Sequence, residues 1–362
     1  MRILHTESSG GFGGQEMRIL NESIGMRNRG HEVIMAVQKN GGLVEKARKA
    51  GFTVYELDFQ KSKAPFLLMR LVKIISKNEI DLVNTHSSLD AWIGGIAARS
   101  AGKKVIRTRH LSSTIRKGLN SRLLYNALAD YVVTTSSRII STIVGQSKID
   151  PSRCKLIATG VEPENLCPEP EKVANFRKAL GVEEGDCLVG TVCVVRSWKG
   201  IEDFIRAAHL LRDIKQLKWV VIGGGYLEQF QRLANDLGLD GVLTFTGHLD
   251  DPSFAIDALD IFALLSTGNE GISQASLQAA YLEKPLITTI VGGLPEVCKK
   301  GETGILVPPK SPKEVAAAVL ELYDDSELRE ALGKGARALV ENKFTMRHTL
   351  DQMEQVYEEL SR

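Results

Sequence analysis

The stretch GVEPENLCPEPEK, residues 160–172, decides how the rest of the chain is read. It holds three prolines and follows neither the alternation of a strand nor the period of a helix, so it reads as a linker. On both sides of it, short β-branched runs alternate with longer amphipathic ones. Upstream, MRIL, EVIMAV, TVYEL, DLVNTH, KVIRTRH and YVVTTS read as strands. EMRILNESIGMRNRG, FLLMRLVKIISKN and SLDAWIGGIAARSAG read as helices, and helical runs close on Gly30, Gly51 and Gly102. Downstream the pattern restarts with CLVGTVCVV, KWVVIGGG, LTFTG, DIFALLS, PLITTI and GILVPP as strands. Such alternation predicts parallel βαβ units, and unbroken apolar strand runs predict sheets covered on both faces. The expected architecture is α/β, two doubly wound domains facing a central cleft.

Composition narrows the class. With 362 residues, 43% apolar and 25% charged, the chain can bury large cores without disulfides or metals. A formal net charge of +2 offers no general attraction for nucleic acid. No apolar run approaches the roughly 18 residues of a membrane helix. The opening MRILHTESSGG turns polar too soon for a secretory leader. Cys154, Cys167, Cys187, Cys193 and Cys298 form no CxxC pair and no metal-like spacing, so they read as reduced, buried thiols of a cytosolic protein.

Ligands of doubly wound sheets bind beyond the carboxyl ends of the strands. That points to the loops 8–14, 109–114, 195–200 and 266–273. SSGGFGGQE is no dinucleotide fingerprint: starting at Gly11, the third glycine position holds Glu16. GGGYLE fails likewise at Glu228, and no GxxxxGK[ST] occurs. Gly13 and Gly14 either let main-chain N–H groups approach an anion at a helix start or form a tight turn. Arg196 and Lys199, in VVRSWKGIEDF, offer a planar fork and a point charge suited to a pyrophosphate, or lie in a solvated loop.

In EGISQASLQAA (270–280), Glu270 precedes a helix starting near Ser273, and Gln278 lies on that helix. Eight positions span about 12 Å if fully helical. Between the two side chains, the N–H groups of Gly271, Ile272 and Ser273 favour negative charge. One segment therefore suits sugar hydroxyls, diphosphate and ribose in order; the alternative for Gln278 is a plain surface helix. No HExxH occurs, and Asp250–Asp251 lies in GHLDDPS rather than at a strand end, so no metal is expected.

Taken with GGFGGQEMRILNESIGMRNRGHEV, RTRHLS, RSWKGIEDFIRAA, STGNEGISQASLQAA and VGGLPEVCKKGETGILVPP, the chain resembles the retaining nucleotide-sugar glycosyltransferases of the GT-B type, in the large family 4-like group with a Glu-x7-Glu motif. The resemblance runs over nearly the whole chain. It implies an acceptor-side domain over 1–163, a nucleotide-sugar domain over 164–343, and a closing helix over 344–362 that packs back on the first. It implies that Gly13 and Gly14 approach the donor phosphates and that His110 faces the donor sugar. Arg196 and Lys199 would hold the diphosphate, and Glu270 the transferred sugar. Gln278 departs from the second motif glutamate, which holds ribose. An amide still accepts from one hydroxyl and donates to another, without charge assistance. Main-chain groups around His248 and Leu249 are the expected base readers.

The activity so implied is transfer of a sugar from a nucleoside-diphosphate sugar to a glycan or lipid-linked acceptor. It retains the anomeric configuration and uses no metal or cofactor, in cell-envelope polysaccharide or lipopolysaccharide synthesis. His110, Arg196, Lys199 and Glu270 are the catalytic candidates. His86 lines the acceptor region or is structural. Between Asp90 and Asp130 stand cations and no acids, and Arg116 and Lys117 in SSTIRKGLNSR suit an anionic headgroup or phosphorylated glycan. The place of action so implied is the cytoplasm, with peripheral contact at the inner face of the membrane. A nucleotide-sugar epimerase, a non-enzymatic sugar-binding protein and a catalytically weakened donor binder stay open. Neither nucleotide, sugar nor acceptor is written in side-chain identity.

Overall fold

The alternation of strand and helix carries directly into the topology. The computed structural model describes residues 1–110 and 115–361, and its ladder pairings are all parallel. One unit comprises Met1–Thr159 with the closing helix Met346–Ser361, and the other comprises Gly160–Thr345.

The first unit holds β1 (Arg2–Glu7), β2 (Glu32–Gln38), β3 (Thr53–Leu57), β4 (Leu82–Thr85), β5 (Lys104–Arg109), β6 (Tyr131–Thr134) and β7 (Cys154–Leu156). Their order is β3-β2-β1-β4-β5-β6-β7. The second holds β8 (Cys187–Val192), β9 (Leu217–Ile222), β10 (Leu243–Gly247), β11 (Ile261–Leu264), β12 (Leu286–Thr289) and β13 (Gly304–Val307), ordered β10-β9-β8-β11-β12-β13. Winding reverses between β1 and β4 and between β8 and β11. Crevices open at such switch points, beyond the strand ends.

Helices cover both faces, so β4, β6, β8, β11 and β12 are buried along their whole length. That explains their largely apolar composition. Polar residues are buried there too, most of all at the first switch point: His5, Thr6 and Glu7 in β1 beside Ile3 and Leu4, and Asn84 and Thr85 in β4.

The closing helix buries Met346, Leu350, Met353, Val356 and Tyr357 in one cluster with Ile3, Ile19 and Met26. Leu350 presses on Gly25, where an added Cβ would stand 2.4 Å from Leu350 Cδ1. The proline-rich segment is not bare linker. It makes a turn at Pro163–Asn165, starts the helix Pro170–Ala179, and belongs to the second unit, where Val161 N donates to Phe344 O at 2.8 Å. Cysteine burial is uneven: Cys187 and Cys298 are buried, but Cys167 is exposed, contrary to expectation. Its neighbours Pro168 and Pro170 keep that stretch outside any core element. Among the described residues no helix is long and apolar enough to cross a membrane.

Candidate functional site

In the second unit, the turn after β8 places a cation against a carboxylate. Lys199 N donates to Arg196 O at 3.1 Å, closing the turn, and Thr267 N donates to Trp198 O at 2.7 Å. Gly200 then opens the helix Ile201–Leu210 with φ +69°; an added Cβ would lie 1.9 Å from Leu265 O. Only glycine lets the two loops meet this closely. The result is Lys199 Nζ at 2.7 Å from Glu270 Oε2, the oxygen that also accepts from Ser266 Oγ at 2.6 Å. The side chains of Lys199 and Glu270 are 17% and 9% exposed. Arg196 lies over the ring of Tyr226, 4.8 Å from its centre, on an exposed edge.

The loop from Glu270 to Ser273 is backed by main chain. Gly293 N donates to Glu270 O at 3.2 Å. An added Cβ on Gly292 would stand 1.8 Å from Glu270 O, and one on Gly293 2.6 Å from Gly271 C. The VGGLPE stretch is thus a platform for the carboxylate loop, a role its residue types alone did not disclose. Ser273 caps the helix Gln274–Tyr281, accepting from Ser276 N at 3.4 Å. Among the described residues, the N–H groups of Gly271, Ile272 and Ser273 have no main-chain acceptor. Gln278 is half-buried on this helix. His248 is exposed at the end of β10, 3.5 Å from Asp250, and Leu249 follows half-buried. Arg196, Lys199, Glu270 and the 271–273 amides therefore share the two switch-point strand ends, whereas His248 and Leu249 follow the edge strand.

In the first unit, Gly13 caps the helix Gly14–Asn28 with an extended backbone, φ −145°. A Cβ on Gly14 would meet nothing within 4 Å. Neither position has the left-handed backbone that would demand glycine. Nearby lies a cluster the sequence reading missed. Glu7, at the end of β1, accepts from Ser9 N at 2.7 Å and also from Ser87 Oγ and Gln15 Nε2. Burial, and then the charge of Asp90, push its carboxyl up to about 7. Asp90 itself accepts from Thr6, Ser8, His86 N and Ser87 N, at 2.9 to 3.1 Å. The available signal was a carboxylate ending an otherwise buried strand.

Three imidazoles lie in a row beneath the strand ends. His5 Nδ1 is 2.8 Å from His86 Nε2, and His86 Nδ1 is 3.0 Å from His110 Nε2. Burial lowers His5 to about 4 and lowers His86 and His110 well below the usual range; Arg107 and Arg18 add to this for the latter two. His86 is 2% exposed and bonded at both nitrogens, so it lines no acceptor surface: it directly follows β4, which is buried along its whole length. His110 is partly exposed at the end of β5. Arg116 and Lys117 are exposed, close in sequence to the 69%-exposed Leu119. The rest of the expected 109–114 loop, residues 111–114, lies outside the described residues. Among those described, no group of three or more His, Cys, Asp or Glu could hold a metal ion.

Comparison with known proteins finds two family models. Residues 12–165 match "Glycosyltransferase Family 4", and residues 172–339 match "Glycosyl transferases group 1". An uncharacterized glycosyltransferase of Methanocaldococcus jannaschii is 28% identical over 309 residues, 78% of this chain and 76% of the relative. The UDP-Gal:alpha-D-GlcNAc-diphosphoundecaprenol alpha-1,3-galactosyltransferase of Escherichia coli is 26% identical over 306 residues, 80% of this chain and 78% of that protein. The crystal structure of a glycosyltransferase from Rickettsia africae superposes with a TM-score of 0.90 at 21% identity, covering 100% of this chain and 98% of that one.

Proposed function

The chain belongs to the family 4 and group 1 glycosyltransferases, with the GT-B fold, and we propose that it moves a sugar from a nucleoside-diphosphate sugar to a glycan or lipid-linked acceptor. The reading includes retention of the anomeric configuration, no metal or cofactor, and a place in cell-envelope polysaccharide synthesis. One observation carries it: a lysine and a glutamate meet at 2.7 Å on the two switch-point strand ends, with helix-start amides alongside. A diphosphate draws Lys199 off Glu270, and the freed carboxylate then takes sugar hydroxyls. As the leaving diphosphate gains charge, Lys199, Arg196 and the 271–273 amides stabilise it without reorganising. Gln278 holds the ribose, His248 and Leu249 the base. In the first unit, Gly13 and Gly14 approach phosphate and His110 a sugar hydroxyl.

The relative from Escherichia coli is named for a galactosyl transfer from UDP-Gal onto a diphosphoundecaprenol-linked sugar. A lipid-linked acceptor suits this chain too, at the inner face of the cytoplasmic membrane. Arg116 and Lys117 beside Leu119 support that contact. So does the helix Ala64–Lys77, which leaves Phe66 and Met69 exposed on one stripe with Arg70, Lys73 and Lys77.

A thermal-shift panel of UDP-, GDP- and ADP-sugars tests the reading. One donor class should raise the melting point, since a ligand favouring the native form stabilises it. Release of its nucleoside diphosphate should then require acceptor. Epimerised donor without acceptor would favour the epimerase, and no shift with any donor sinks the proposal.

A further inference from the structure

His5, His86 and His110 come from the neighbouring strands β1, β4 and β5 and their ends. His5 stands in register with Asn84, two residues before His86, and Thr85 pairs with Arg107. Side chains two apart share a sheet face, so the three rings climb one face diagonally. The ring planes differ by 10° and 30°, with centres 5.1 and 5.2 Å apart. At nitrogen separations of 2.8 and 3.0 Å, those values describe rings laid end to end rather than face to face. That is the geometry N–H···N bonds require, because an imidazole N–H and its lone pair lie in the ring plane.

A neutral imidazole has one N–H and one lone pair. A row of three with both bonds made therefore has only two internally consistent arrangements. Donation running from His110 inward leaves His5 with an Nε2–H. Donation running from His5 outward leaves His5 Nε2 as a bare lone pair. His5 is 0% exposed, and its Nε2 has no partner among the described residues. A buried orphan donor is the rarer and costlier of the two defects. The outward arrangement makes His110 Nε2 an acceptor and so puts the ring's proton on Nδ1.

We infer that His5 and His86 are positioning residues that hold His110 in its Nδ1–H tautomer, so that it meets its ligand as a hydrogen-bond donor to an oxygen such as a sugar hydroxyl. Isolated histidine prefers the Nε2–H tautomer, so the row works against the intrinsic preference. The ligand part rests on the proposed function; the tautomer part does not.

The test is long-range ¹H–¹⁵N correlation on the full chain labelled with ¹⁵N-histidine at neutral pH, without donor or acceptor, His110 being assigned with His110→Gln. The expected spectrum shows His110 neutral with the proton on Nδ1. In His86→Phe, which keeps a ring in the buried place but can make neither hydrogen bond, the proton should move to Nε2. Turnover should fall roughly five- to tenfold, the loss of one hydrogen bond in the transition state, with the donor KM changing less. His86→Gln should restore the tautomer and most of the rate, because its amide accepts on one side and donates on the other. An Nε2–H or doubly protonated His110 in the wild type overturns the inference, as does a His110 tautomer indifferent to His86→Phe. If His86→Phe does not fold, the wild-type spectrum alone decides. Wild-type protein with the expected tautomer but no activity on any nucleotide sugar would overturn the proposed function and leave the positioning row standing.

Discussion

The two units have the same winding but furnish their switch points differently. At β8 and β11 the strands are apolar, and the polar groups sit in the loops: Arg196, Lys199, Glu270 and the amides before Gln274. At β1 and β4 the polar groups go down into the strands themselves, where His5, Thr6, Glu7, Asn84 and Thr85 are all buried, with His86 just beyond. Charge that must grip and release a ligand belongs on loops with access to solvent. Groups that must only hold a geometry can be sunk into the sheet, provided nearly every polar atom finds a partner.

Replacing Lys199 tests the loop-based half most severely. Lys199→Ala should lower turnover by about 10²–10³, the scale of losing a preorganised charge-stabilising group. Its melting point should also fall, because Glu270 loses its buried cation. Far-UV circular dichroism should stay native, with rates measured well below the variant's midpoint. Undiminished turnover would remove the electrostatic account.

The sunken half is broken through pH. Glu7 has its folded carboxyl raised to about 7, so the native state holds that proton more tightly than the unfolded chain. Its contribution is therefore largest below the ordinary carboxylate range and is lost as pH rises through about 7. Chemical denaturation should show wild-type stability declining by about 3 kcal/mol from this source between acid and pH 8. In Glu7→Gln that decline should shrink, leaving the variant the more stable protein above neutrality. Parallel pH profiles for the two would mean Glu7 ionises freely.

Gln278 gives the finest distinction. Neutral hydrogen bonds contribute about 0.5–1.5 kcal/mol and charged ones about 1.5–3. Gln278→Ala should weaken donor binding roughly three- to tenfold, and Gln278→Glu should tighten it by a similar factor. Calorimetric titration with the donor found in the thermal-shift panel measures both. Equal affinities across the three proteins would remove Gln278 from the ribose.

The same contrast explains what could be read in advance. Strand positions were legible because sheets covered on both faces demand largely apolar runs. The loop site was legible because its groups are near neighbours in the chain, Arg196 with Lys199 and Glu270 with Gly271 to Gln278. The histidine row was not, since His5, His86 and His110 become neighbours only when β1, β4 and β5 pair. Nor was the Glu7–Asp90 cluster, which joins the end of β1 to the start of the helix after β4. Gly292 and Gly293 stood out as a motif, but their task needs the loop they support to be in place. For His86 the sequence left an acceptor-lining and a structural role open, because a strand end says nothing of the depth at which its side chain sits; its burial favours the structural one.

The closing helix has a consequence for synthesis. Met346, Leu350, Met353, Val356 and Tyr357 complete the core that begins with Ile3. The half of the molecule made first on the ribosome therefore cannot seal its interior until the helix Met346–Ser361 emerges. At roughly 5–20 residues per second, that wait lasts on the order of ten to forty seconds while the other half is being translated. During that interval Ile19 and Met26 lack their final cover, and a nascent chain stalled before Met346 presents them to chaperones.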